Sequence, residues 1–147
     1  MHLASISFYN QSLPYRLPQK TLIRQWLLLA AKKEGYSILQ LNYIFCSDKE
    51  LLEINRNYLQ HDTFTDIITF GLSEKNAPIE GDIFISLDRI AENARTFKES
   101  KSRELKRVMI HGLLHLMGYK DKAKLQKQVM RKKEDTYLDL WAKISNS

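Results

Sequence analysis

An α/β (α+β) fold, a small mixed four-stranded sheet packed against several helices, is what the order of patterns along this chain predicts. Three observations carry it. Short runs rich in β-branched and aromatic residues alternate with longer runs of helical period, so strands and helices interleave rather than segregate. Turn formers fall between the runs and never inside them for long, with no repeat, low-complexity tract or extended linker. The chain has 147 residues, 44% of them hydrophobic, enough to bury one core without disulfides, and one domain over 1–147 is expected.

The elements follow in order. SISFYN, Ser5 to Asn10, reads as a short first strand, and Pro18 to Lys33 as a helix with its proline near the start. ILQLNYIFC, Ile38 to Cys46, alternates as a strand does. Ser47 has the character of an N-cap, and Glu50 three residues on completes a capping box for a helix through about Tyr58. TDIITFGL, Thr65 to Leu72, and IEGDIFIS, Ile79 to Ser86, are β-rich runs on either side of the turn-prone SEKNAP, and predict neighbouring strands. Helices are expected over Leu87 to about Lys98, Ser102 to Met117, and about Lys122 to Lys143. In the last of these Leu125, Val129, Leu138 and Trp141 suggest the buried stripe.

Composition narrows the setting. The longest wholly apolar stretch, WLLLAA from Trp26 to Ala31, is far too short to span a bilayer, so no membrane partner is expected. The single cysteine, Cys46, has no internal partner and reads as a small buried hydrophobe. With no secretory pattern over Met1 to Leu17, a reducing, cytoplasmic setting is expected. Lys and Arg number 23 against 17 Asp and Glu, and the excess crowds between Lys101 and Lys133. Such a field attracts phosphate polymers, with binding that weakens in salt, or else it is a solvated helix face. No glycine-rich nucleotide pattern occurs among the five glycines.

The chemistry concentrates in HGLLHLMGYKD, His111 to Asp121. Residues four apart lie one turn above each other on a helix, so His111 and His115 project from one face, close enough to share an ion. Met109, Ile110, Leu113, Leu114, Leu116 and Met117 make this half of the helix apolar nearly all round, as in a core helix. A buried imidazole needs a partner at each ring nitrogen, which either a zinc-type ion with outer acceptors or ordinary hydrogen bonds can provide. Gly118 permits the left-handed turn that ends helices, and the returning chain brings Lys120, Asp121 and Lys122 to the same mouth. Asp121 is the candidate third ligand. Two histidines and a carboxylate leave a tetrahedral ion one open position, the arrangement of catalytic zinc, for which hydrolysis is the natural chemistry. The site helix is thus metalloprotease-like, but Gly112 stands where the His-Glu-x-x-His pattern has its general base.

HGLLHLMGYKD resembles the signature of the YbeY family of metal-dependent endoribonucleases and rRNA maturation factors, His-Gly-x-Leu-His-Leu-x-Gly-Tyr-Asp-His. TDIITF, Thr65 to Phe70, is similar to that family's Thr-Asp-Val-Leu-Ser-Phe block, GDIFIS, Gly81 to Ser86, to its Gly-Asp-Ile-x-Ile-Ser strand, and NRNY, Asn55 to Tyr58, to the helix end before the first block. The stretches stand in family order, and the likeness covers roughly Asn42 to Lys122. The resemblance implies metal ligands at His111, His115 and, in place of the third histidine, Asp121, with one zinc ion per chain. It also implies catalysis at the same three residues. Four positions depart from the pattern: Asp121, Lys120 before it, Leu59 where the family has an arginine after the tyrosine, and Phe64 where it has a proline before Thr65. An aspartate ligand adds negative charge to the site, and His61, two residues beyond Leu59, is no fork-shaped phosphate clamp.

Four further residues are candidates for RNA or pocket contacts. Asp66 either orients a ligand histidine or makes a local strand-end hydrogen bond; Asp82 beside Gly81 either lines the pocket or marks a close backbone approach. Arg56 meets phosphate or covers apolar surface, and His61 stands near the missing arginine. Tyr58 and Phe70 read as core packing before base stacking. The function the resemblance implies is a metal-dependent, single-strand-directed endoribonuclease in rRNA processing and ribosome maturation, with rRNA or ribosomal subunits as partner. The second reading is a non-catalytic ribosome-associated RNA binder with a structural metal. The third is a hydrolase of some other bond.

Overall fold

The computed structural model describes residues 4–61, 63–74 and 76–146. Its strands are β1 (Ser5–Asn10), β2 (Ile38–Cys46), β3 (Ile67–Gly71) and β4 (Ile79–Ser86). Its helices are α1 (Lys20–Lys33), α2 (Asp48–Leu59), α3 (Leu87–Phe97), α4 (Lys101–Leu116) and α5 (Lys124–Ser145). The strands form one mixed four-stranded sheet, as the sequence predicts, with β3 and β4 neighbours as expected; its order is β1-β2-β4-β3, parallel through β1, β2 and β4, with β3 antiparallel to β4 at an edge.

Local signals set most boundaries. The Ser47 side chain accepts from the Glu50 backbone N–H at 3.2 Å and the Glu50 carboxylate accepts from the Ser47 N–H at 2.9 Å, closing the expected capping box. Ser86 and Ser100 cap α3 and α4 in the same manner, accepting from the backbone N–H of Arg89 and Arg103. Pro18 and Gln19, the latter left-handed at φ 59°, precede α1 rather than lie within it.

Strand alternation sorts the core into two layers. Leu41, Tyr43, Phe45, Ile83 and Ile85 point to the face that packs against α1, α4 and α5, where the Tyr43 hydroxyl donates to the Met109 carbonyl at 2.8 Å. Cys46, Ile68 and Phe84 point to the other face and pack under Leu51 and Ile54 of α2. Cys46 is buried, its thiol donating to the Ile85 carbonyl. Burial, aided by Glu50, Asp48 and Asp88, pushes its pKa up to about 12, so it is an inert packing residue.

The last helix corrects the stripe expected from its sequence. Leu125 and Val129 are exposed, and the inward face carries Met130, Glu134, Tyr137 and Leu138, with Trp141 packed edge-on to Trp26. The Trp26 indole N–H donates to the Tyr137 carbonyl at 2.7 Å, which holds α5 against α1. A glutamate interrupts this stripe, and the two exposed aliphatic residues upstream imitate its phase. Tyr58, expected in the core, is also exposed, its ring edge-on to the half-buried Phe70.

Helix α4 lies unusually close to the sheet. A Cβ on Gly112 would come within 2.9 Å of Ile67 Cδ1 and 3.0 Å of Ile83 Cδ1, and one on Gly81 within 2.8 Å of Leu116 Cδ1. Gly112 therefore lets the histidine helix settle onto β3 and β4, and Gly81 fulfils the expectation of a close approach. Gly112→Ala is expected to lower unfolding stability by roughly 1–3 kcal/mol through overpacking, despite alanine's better helix propensity. Urea unfolding measures it, and an unchanged midpoint would mean that α4 can shift freely on the sheet. No helix among the described residues is long and apolar enough to cross a membrane.

Candidate metal centre

His111 and His115 lie one turn apart on the last two turns of α4, their ring centroids 4.5 Å apart. The helix stops at Met117, and Gly118, at φ +98°, turns the chain back on itself as the sequence predicts. The return brings Asp121 to the histidines. Its Oδ2 stands 3.2 Å from His111 Nε2 and 3.3 Å from His115 Nε2, and one ligand atom from each of the three residues lies within 4.8 Å of the others.

The far side of each ring is anchored. His111 Nδ1 donates to Glu134 Oε2 of α5 at 2.6 Å, and His115 Nδ1 donates to the Tyr119 carbonyl at 2.9 Å. With the Nδ1 protons so placed, both Nε2 atoms present lone pairs to a carboxylate oxygen. Three acceptors converging on one point call for a cation or for extra protons between them, and imidazoles oriented by outer acceptors are how proteins hold zinc-type ions. The donor set thus fits such an ion. The side chains of His111, His115 and Asp121 are 20%, 25% and 38% exposed, so the site opens to solvent rather than being sealed as in structural zinc sites.

Two polar clusters brace this arrangement. Glu134 is buried, and its second oxygen accepts from Arg107 at 3.0 Å, while Arg107 also reaches Asp135 at 3.0 Å. On the other flank Glu34, just past α1, accepts from Tyr119 at 2.6 Å, from Lys133 at 3.0 Å and from Tyr137. These contacts tie the return loop to α1 and α5. They hold the Tyr119 carbonyl against His115 and hold the loop that delivers Asp121.

The electrostatics favour positive charge at the site. Burial opposes the protonated form of His111, yet the hydrogen bond and charge of Glu134, then the charges of Asp121 and Asp66, outweigh it and raise the ring's pKa. The same negative charges would also attract a metal cation. Asp66 is itself raised by burial, against the lowering effect of His111.

The other predicted residues divide. Asp66 stands within the field of His111, and its carboxylate accepts from Asn93 at 3.3 Å. Asp82 accepts from its cross-strand neighbour Asn42 at 3.0 Å and alternates with Ile83, so it lies on the sheet face away from α4. Arg56 is exposed on α2, which covers that same far face, and His61 is exposed just beyond the helix. His61 does not join the convergent ligand atoms of His111, His115 and Asp121. The basic run also divides. Lys106 and Arg107 turn inward and Lys133 pairs with Glu34, whereas Lys122, Lys124, Lys127, Arg131 and Lys132 line an open groove on the first half of α5, directly after Asp121.

Glu134 and the Glu34 cluster brace the candidate site and are the residues that sequence reasoning missed. The available signal for Glu134 was an acid at the buried phase of a helix, four residues after Met130 and four before Leu138. A buried acid at such a phase asks for a cationic or hydrogen-bonding partner.

The family model described as Endoribonuclease YbeY matches residues 6–142. A protein named Endoribonuclease YbeY from Cytophaga hutchinsonii is 55% identical over 136 residues, covering 92% of this chain and 95% of that one. Proteins of the same name from Amoebophilus asiaticus and Flavobacterium psychrophilum are 43% and 46% identical, over 94% and 90% of this chain and 94% of each relative. The solution structure of TM1509 from Thermotoga maritima superposes with a TM-score of 0.67 at 28% identity, covering 96% of this chain and 92% of that one. With the family model matched over nearly the whole chain and relatives of that name aligned almost end to end, the chain belongs to the YbeY endoribonuclease family.

Proposed function

We propose that this protein is a metal-dependent endoribonuclease that cuts single-stranded RNA during rRNA processing and ribosome maturation, with one zinc-type ion held by His111, His115 and Asp121. The observation that carries the reading is the convergence of His111 Nε2, His115 Nε2 and Asp121 Oδ2, each ring anchored behind by Glu134 or Tyr119. An ion there supplies Lewis acidity at a phosphoryl oxygen and activation of water for phosphodiester hydrolysis.

The chain's own residues do the rest. His111 and His115 hold fixed tautomers, so no reorganisation of the rings accompanies the reaction. Lys122, Lys124, Lys127 and Arg131 present a run of cations beside the site, suited to the backbone of a phosphate polymer and indifferent to its sequence. Ribosomal RNA as the substrate, and with it a cytoplasmic setting, rests on the family resemblance of the four sequence blocks and on the relatives' shared name.

The test is cleavage of a labelled single-stranded RNA before and after chelation. Cleavage is expected to disappear with the metal, to return with added zinc, and to weaken steeply as salt rises, since each phosphate contact releases counterions. Cleavage at an unchanged rate by metal-free protein overturns the proposal. The second reading, an RNA binder with a structural metal, draws on Leu59 and Asp121, where the family pattern has arginine and histidine. Salt-dependent RNA binding that survives chelation without any cleavage would favour it; the open, solvent-facing ligands favour the enzyme.

A further inference from the structure

A cavity of about 300 Å³ opens between α3, the first turns of α4 and the segment before α1, toward the opposite end of α4 from Asp121 and the two histidines. Its walls include Leu17, Ile90, Ala91 and Leu105, and to this largely apolar lining α4 also contributes the exposed Lys101 and Ser102 and the buried Lys106. Lys106 is the anomaly. It is only 6% exposed, donates to Ser102 Oγ at 2.7 Å, and rests 4.6 Å from the centre of the Trp141 ring.

An ammonium has three donors and a full charge. One donor is met by a neutral hydroxyl and part of the charge by the indole face. Among the described residues the ion pairs of α4 run through Arg103, Arg107, His111 and His115 and leave Lys106 out, and burial alone moves the Lys106 pKa, downward. A buried cation without a carboxylate is costly, and proteins that retain one usually supply a counter-charge. Among the described residues no carboxylate pairs with Lys106, which leaves the adjoining cavity as the place where that charge can be supplied.

We propose that this cavity binds a small apolar carboxylate, its carboxylate accepting from Lys106 and Ser102 and its hydrocarbon chain lying against Leu17, Ile90 and Leu105. The volume stands at the lower end of ligand pockets, which suits a short chain rather than a long-chain lipid. The site is separate from the metal centre and does not depend on the function proposed for that centre.

The probe is octanoate, titrated into the full chain and followed by calorimetry and by tryptophan fluorescence, because the Trp141 ring touches the lysine. One saturable site is expected, with octanol bound at least about tenfold more weakly, since it lacks the charge-assisted hydrogen bond. Lys106→Met keeps the apolar stem, and is expected to lose octanoate binding by at least about tenfold while leaving octanol unchanged. Ala91→Phe fills the cavity with the lysine intact, and is expected to abolish binding of both, which decides the matter if the lysine variant does not fold. Absence of saturable octanoate binding up to about 10 mM, equal affinity for octanol, or wild-type binding by Ala91→Phe would each overturn the proposal.

Discussion

His115→Ala is expected to leave a folded chain that has lost both its metal and its ability to cut RNA. The side chain is a quarter exposed and its Nδ1 partner is the carbonyl of a surface loop, so truncation opens no sealed void and strands no buried charge. What it removes is one of three converging donors. Two remaining ligands, His111 Nε2 and Asp121 Oδ2, hold a zinc-type ion far more weakly than three on a prepared frame. Elemental analysis of protein purified without a histidine tag or added metal is the measurement. About one zinc per chain is expected in the parent and less than about a tenth of that in the variant, with RNA cleavage falling in parallel. Asp121→Asn retains an amide oxygen but no charge and should show a smaller loss. A His115→Ala protein that keeps its metal would remove this group from consideration as the site.

Glu134→Ala is expected to cost both stability and metal affinity, and its two effects separate from each other. The carboxylate is buried, accepts from His111 Nδ1 at 2.6 Å and pairs with Arg107 at 3.0 Å. Removing one partner of a buried pair costs about 3–5 kcal/mol when the other is left alone. Here Arg107 keeps Asp135, so the expected loss lies near the lower figure, about 3 kcal/mol in urea unfolding. His111, losing the acceptor that sets its tautomer and angle, is expected to weaken metal binding by roughly ten- to a hundredfold without being touched itself. Glu134→Gln keeps an acceptor oxygen and should recover part of the affinity. Destabilisation with unaltered metal affinity would make Glu134 a structural residue only.

Much of the fold was legible because its signals are local. The capping box at Ser47 and Glu50, the alternation of Ile38 to Cys46 and the glycine that ends the histidine helix each depend on residues a few positions apart. The buried face of α5 was not legible, because Leu125 and Val129 keep helical spacing while facing water, and because the true face carries Glu134. A glutamate looks like surface in one dimension. Only the proximity of His111 and Arg107, more than twenty residues away, makes it a core residue.

The candidate site divides along the same line. His111, His115, Gly118 and Asp121 fall within eleven consecutive residues, and helix geometry with one left-handed turn suffices to bring them together. The sequence by itself therefore singled out the candidate ligand group, the succession of strands and helices and the family the chain resembles. The tertiary structure alone decided which groups stand behind those candidate ligands and which cations line the groove beside them. Glu134 arrives from α5, Glu34 from the residue just past α1 and Asp66 from the edge of the sheet, and the basic run splits into residues turned inward and residues lining the groove. The physical reason is that hydrogen bonding and burial depend on distance in space, and a sequence displays that distance only where a single turn or helix spans it.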